Sequence, residues 1–227
     1  MTGLLGCAHY RGRLSPEPVE LAGLPLLSAT LFLPPGLSER RLARRLRTLE
    51  AALLSAGMDR AVLLPDFPCR DRLERVRPVD PLALCRGLAD VLVLGWLAAH
   101  GFVPEHSRVV LAGPSLCGEL RACAQRLCPR VRALGIEVPG AGESFSRGLR
   151  AQFGLPELPP GAAADLRVAF GPCPGPARLR LYGEPALDGL RLTLPNLPLP
   201  PALEPQLLTL LWEQGRATRE NLAVLRA

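Results

Sequence analysis

The stretch Arg108-Val109-Val110-Leu111-Ala112-Gly113-Pro114-Ser115-Leu116-Cys117-Gly118 decides how this chain is read. Its first five residues form an apolar, β-branched run of the length of a buried strand. A turn bounded by Gly113 and Gly118 follows, and Gly118 to Leu127 reads as a helix closed before Pro129. A strand that turns directly into a helix carries the helix's unpaired first-turn amides to the end of the strand. Backbone N–H groups in that position favour an anion.

The spacing sets Gly113 at the first and Gly118 at the third position of a G-x-G-x-x-G pattern, with Ser115 in the middle. In the Rossmann fingerprint the first glycine allows a tight turn and the second lets a pyrophosphate approach. The third lets the helix pack close to the strand. Glu137 follows 24 residues after Gly113, near the place where an acid about 20 residues on binds a ribose hydroxyl. Asp165 to Phe170, ending at Gly171, has the form of the later strand that lines the cofactor crevice. The segment therefore resembles the NAD(P)-binding domain of two-domain dehydrogenases of the shikimate and amino-acid dehydrogenase type. That resemblance implies an N-terminal α/β lobe, a connecting helix and a Rossmann domain, with Gly113, Ser115, Gly118, Glu137 and Gly171 as cofactor-binding residues and NAD or NADP as the cofactor. The pattern departs from it in three ways. Ser115 adds a side chain where a diphosphate should approach, Pro114 removes a backbone donor, and the chain has no lysine for a Lys-Asp catalytic pair.

Outward from this motif the alternation continues. Val131 to Val138 reads as a strand and Glu143 to Phe153 as a helix stopped by Gly154. Leu179 to Tyr182 and Leu190 to Leu194 read as further strands. Upstream, Leu26 to Leu33 is a strand bounded by Pro34-Pro35-Gly36. A helix capped by Ser38 carries Leu42, Leu46, Leu49 and Leu53 and stops at Gly57, and Arg60 to Pro65 is a second strand. This is a βαβ unit with a right-handed crossover. Met1 to Pro25, broken by Pro16, Pro18 and Pro25, reads as irregular. Pro68 to Pro81 reads as a boundary loop. Leu82 to His100, apolar nearly all round and ended by Gly101, reads as one buried helix. After the proline-rich arm Pro195 to Pro205, Gln206 to Gly215 is a closing helix and Thr218 caps a last short one. The expected fold is α/β with a mostly parallel sheet: an N-terminal βαβ lobe over 1–80, then a Rossmann-like domain over 81–227 with connecting helix 82–100 and a C-terminal helical cap.

At 227 residues the chain is one large domain or two small ones. Its 48% hydrophobic and 21% charged shares exclude global disorder. All 27 basic residues are arginine, and with 25 prolines and 22 glycines this fits a GC-rich bacterial genome. The seven cysteines are odd in number and include no C-x-x-C pair, as expected of reduced thiols in a cytoplasm. The N-terminus lacks a signal-type apolar core, and Leu88 to Ala99 is too short to span a bilayer. A cytoplasmic protein with no membrane partner is expected.

These readings favour a noncatalytic or ligand-sensing Rossmann-like protein with an altered dinucleotide site, whose partner is a nucleotide or phosphorylated small molecule. An NAD(P)-dependent oxidoreductase is the alternative from the enzyme class; no catalytic residue is identified. A third reading, a basic nucleic-acid-associated protein, rests on the net charge of +6 and on Arg40, Arg41, Arg44, Arg45 and Arg47. An aromatic share of 4% argues against base stacking. The segment Leu207 to Leu225 has the form of the opening of a winged helix-turn-helix, but no recognition helix follows, and a docking hairpin is the expected role. No metal-ligand spacing occurs.

Overall fold

The computed structural model describes residues 2–8, 16–154, 158, 161 and 163–226. His9, and the rest of 9–15, lie outside the described residues. The chain divides into two compact units, one of Met1–Asp80 with Leu194–Ala217 and one of Pro81–Thr193 with Thr218–Ala227.

The first unit holds strands β1 (Thr2–Ala8), β2 (Glu17–Leu21) and β3 (Leu24–Phe32), helix α1 (Glu39–Ser55), and strands β4 (Arg60–Leu63) and β5 (Arg77–Pro78). The sheet order is β2-β3-β1-β4-β5. All neighbours run parallel except β2 and β3, which form an antiparallel hairpin. The expected βαβ crossover is present as β3-α1-β4, but β1 lies between its two strands and pairs with both. Within Met1 to Pro25, expected to be irregular, Thr2–Ala8 and Glu17–Leu21 are thus strands. Gly3 and Gly6 serve strand β1 by leaving room for neighbours. A Cβ on Gly6 would stand 2.7 Å from Leu64, and one on Gly3 would touch Leu53. The hairpin turns on Ala22 and Gly23, both at positive φ, as a tight two-residue connection requires.

Helix α1 buries its leucine stripe. Leu46, Leu49 and Leu53 pack on Leu5, Ala29, Leu31, Ala61 and Leu63 in one apolar cluster. Ser38 has the extended backbone of an N-cap, but its hydroxyl makes no capping hydrogen bond. Glu50, 1% exposed, turns into the loop before β5 and accepts the N–H groups of Glu74, Arg75 and Val76 on one oxygen.

The second unit begins with α2 (Leu82–Gly87) and α3 (Ala89–Ala99), so the expected single helix is broken at Leu88. Then come β6 (Arg108–Ala112), α4 (Gly118–Leu127), β7 (Ala133–Glu137), α5 (Ala141–Phe153), β8 (Leu166–Ala169), β9 (Leu179–Arg180) and β10 (Leu190–Thr193). Strands β7-β6-β8-β9 form a sheet in that order, and every pair is parallel. The chain steps to one side of β6 through α4, then returns past β6 through α5. Right-handed crossovers in opposite directions set the two helices on opposite faces. This is a doubly wound α/β unit with Rossmann-like topology.

The last two elements are α6 (Glu204–Glu213) and β11 (Ala223–Arg226). Helix α6 belongs to the first unit, where sequence had assigned it to the second domain. Three polar contacts hold its segment there. The Gln206 amide pairs with both backbone groups of Leu63 at 2.9 and 3.0 Å, Glu213 takes a bidentate pair from Arg60, and Arg216 donates to Gly23 O. The expected short helix after Thr218 is instead strand β11, antiparallel to β10 in the second unit. Val224 seats on Gly95 of α3, where any Cβ would collide with it at 2.5 Å. Among the described residues no helix is long and apolar enough to cross a membrane.

Candidate functional site

The winding reverses at β6. Its neighbours β7 and β8 are reached in opposite directions, so the carboxyl ends of β6 and β8 form a topological switch point, the place where ligands bind in open α/β sheets. The turn Gly113 to Gly118 follows β6 and the turn at Gly171 follows β8, so the topology brings both to this switch point. Gly113 N–H continues the ladder to Glu137 O at 3.1 Å, and Phe170 N–H bonds Ala112 O at 2.8 Å. Ser115 and Gly118 are exposed.

The glycines do not play the parts the fingerprint assigns them. Neither Gly113 nor Gly118 has a positive φ. A Cβ on Gly113 would make ordinary contacts at 3.6 Å, and one on Gly118 would meet nothing within 4 Å. The tight turn and the close helix–strand approach are therefore absent as reasons for these glycines. Gly171 is the glycine that the geometry requires. A Cβ there would lie 2.4 Å from Cδ of Pro114, because the proline ring is seated on it.

Glu137 ends β7 opposite Ala112, and Arg167 lies on β8 opposite Val110. The two side chains meet across β6 in an ion pair of 2.5 Å, both about four-fifths buried. Arg167 also donates to Pro174 O at 2.7 Å, and its buried Nε has no partner. The carboxylate that the spacing suggested for a ribose is thus committed to a guanidinium.

Sequence reasoning missed Arg86. It projects from the end of α2 to the carboxyl ends of β8 and β9, donating to Phe170 O and Leu181 O, each at 2.8 Å. Phe170 in turn neighbours Gly113 and precedes Gly171. A half-buried cation thus stands one residue away from both switch-point turns. The signal in the sequence was a lone arginine within the apolar run LALCRGLADVLVL; Arg167 within DLRVAF is the same kind of signal.

The arginines of α1 separate into two sets. Arg45 turns inward, donates to Phe32 O and lies over the Phe32 ring at 5.2 Å. Arg40, Arg44 and Arg47 remain exposed and line a shallow groove of about 530 Å³ with Thr48 and Ala51. Of the histidines, His100 stacks on Trp96 at 4.0 Å with its Nδ1 on Trp96 O.

Comparison with known proteins adds little to this geometry. No family model matches the chain, and no curated protein matches it in sequence. Among solved structures it is similar to L-tryptophan dehydrogenase from Nostoc punctiforme, at 12% identity and a TM-score of 0.33, over 74% of this chain and 55% of that one. It is also similar to a shikimate 5-dehydrogenase-like protein, at 10% identity and a TM-score of 0.27, over 74% of this chain and 65% of that one. The chain spans about half to two thirds of the length of these two. Both superpositions are loose, and the α/β class rests on the strand order and parallel registers instead.

Proposed function

We propose that the second unit binds a phosphorylated small molecule or nucleotide at the switch point and performs no chemistry on it, so that the protein acts as a ligand sensor. The observation that carries this reading is the convergence of three features at the carboxyl ends of β6 and β8: the turn Gly113 to Gly118 opening α4, the Gly171 turn, and the guanidinium of Arg86. First-turn amides and a nearby arginine are complementary to a phosphate.

Three features disfavour a dinucleotide. Pro114 supplies no N–H and its ring occupies the space over Gly171. Ser115 stands where a pyrophosphate would need bare backbone. Glu137 is held by Arg167. The alternative, an NAD(P)-dependent oxidoreductase, is favoured by one observation, the placement of Glu137 at the end of β7 beside the turn.

Calorimetric titration of the full chain with AMP, ADP, NAD and NADP tests both readings. The sensor reading expects AMP or ADP to bind, NAD and NADP to bind more weakly, and Arg86→Gln to weaken binding by about tenfold, the loss of one charge-assisted hydrogen bond. Tightest binding of NAD or NADP would move the protein to the oxidoreductase reading. No binding of any of the four would remove both.

A further inference from the structure

A shallow, solvent-open cavity of about 720 Å³ lies in the second unit between α3, the end of α4 and the segment leading into β11, with Arg126, Pro129 and Arg130 exposed at its rim. Its size falls within the range of small-molecule sites. One wall is aliphatic: Val91 and Leu94 from α3, Pro129 and Val224. Among the described residues no aromatic side chain lines it. The other wall is charged.

Most of that charge has a structural explanation. Asp90, 8% exposed, accepts a bidentate pair from Arg219 at 2.7 and 2.8 Å, and Arg219 also donates to Gly87 O. This pair fastens the C-terminal segment to α3. Glu220 is engaged by a hydrogen bond with Thr218. Arg126 and Arg130 are not accounted for in this way. Arg126 stands 3.7 Å from an Asp90 oxygen already shared with Arg219, too far for a hydrogen bond. The Arg130 guanidinium has no hydrogen bond or ion pair among the described residues. The cavity thus sets three guanidiniums against two carboxylates, beside an aliphatic wall.

We infer that this cavity binds a monoanionic aliphatic carboxylate, with Arg126 and Arg130 on the carboxylate and Val91, Leu94 and Val224 on the chain. One negative charge balances the surplus guanidinium. An aliphatic body suits the wall formed by Val91, Leu94, Pro129 and Val224. Arginine pairs a carboxylate through its planar fork. The site is distinct from the turn after β6 and does not depend on what binds there.

Titration of the full chain with octanoate, octanol and inorganic phosphate, by calorimetry and by ligand-observed NMR, tests the inference. Octanoate should bind saturably, and octanol and phosphate at least about tenfold more weakly, each lacking one half of the recognition. Arg126→Gln/Arg130→Gln keeps the side-chain stems and should lose about tenfold in octanoate affinity or more. Leu94→Glu, a half-buried position facing the cavity, should lose binding while keeping the fold. Arg86→Gln, at the other site, should leave octanoate binding unchanged. Octanol binding as tightly as octanoate, phosphate binding as tightly as octanoate, an undiminished affinity in the double arginine variant, or sensitivity to Arg86→Gln would each overturn the inference, as would the absence of saturable octanoate binding.

Discussion

The ring of Pro114 rests on Gly171 so closely that a Cβ at Gly171 would stand 2.4 Å from Cδ and 2.8 Å from Cγ. The turn after β6 is thereby keyed into the turn after β8. Gly171→Ala must displace one of the two, and overpacking of this kind costs about 1–3 kcal/mol. Urea unfolding should show that loss. Adding Pro114→Ala to the same chain should recover most of it, because the collision is between these two residues alone. A Gly171→Ala variant of unchanged stability would mean that the contact is not made.

The same proline bears on binding. Pro114→Ala/Ser115→Gly returns a backbone donor to the turn and removes a side chain from its middle position. The double variant should bind ADP more tightly than the natural sequence, by about tenfold for one added hydrogen bond to a charged group. Titration calorimetry measures it directly, and an unchanged affinity would place the nucleotide elsewhere.

Glu50 is a buried carboxylate with a structural task. One oxygen accepts three consecutive amides, at 2.8, 2.7 and 3.0 Å, and so shapes the loop from Glu74 to Val76. Glu50→Leu strands those donors and should cost about 3 kcal/mol or more. Glu50→Gln keeps an acceptor oxygen and should cost clearly less. Equal losses from the two variants would show that the amides are satisfied in some other way.

Asp90 and Arg219 form a largely buried pair, with side chains 11% and 24% exposed. Asp90→Ala leaves a guanidinium without its partner in a poorly solvated place, and such losses run to about 3–5 kcal/mol. Asp90→Ala/Arg219→Leu removes both charges and should be milder than Asp90→Ala alone. Chemical denaturation of the natural chain, Asp90→Ala, Arg219→Leu and the double variant would distinguish a coupled pair from two independent residues.

Stability should also fall at alkaline pH. Burial pushes the Cys128 thiol up to about 11 and the Cys123 thiol well above its ordinary value. A folded-state value raised above the unfolded one means that the contribution is intact below about pH 9 and is lost as the pH climbs toward 11. For Cys128 the loss is at most about 2–3 kcal/mol. Cys128→Ala should flatten the decline between these limits when unfolding is followed against pH. An identical decline in the variant would place its origin elsewhere.

Much of the architecture was legible from periodicity. The leucines of α1 recur at helical spacing because one face meets a sheet, and they are the residues found buried there. The runs at β6, β7 and β8 read as strands because a parallel strand covered on both faces must be apolar throughout. The alternation of these strands with helices announced a mostly parallel sheet. Strands β1, β2, β5 and β11 escaped, and two of them show why. Strand β1 contains Gly3 and Gly6, which punctuate a sequence but here make space for Leu53 and Leu64. Strand β11 follows Gly215 and Thr218, a good helix start, yet Val224 is drawn onto α3 by the vacancy at Gly95. In both cases the deciding partner is distant in the chain.

The sequence by itself determined the class: the spacing of apolar residues, the strand-to-helix junction at Gly113 and the absence of lysine are local facts that no packing can alter. The tertiary structure alone decided what surrounds that junction. Pro114 meets Gly171, Glu137 meets Arg167, and Arg86 reaches Phe170 O only because strands far apart in sequence end side by side. Local preference fixes which segments become strands and helices. The order in which the strands pair, set by burial of their common faces, fixes which side chains share a crevice.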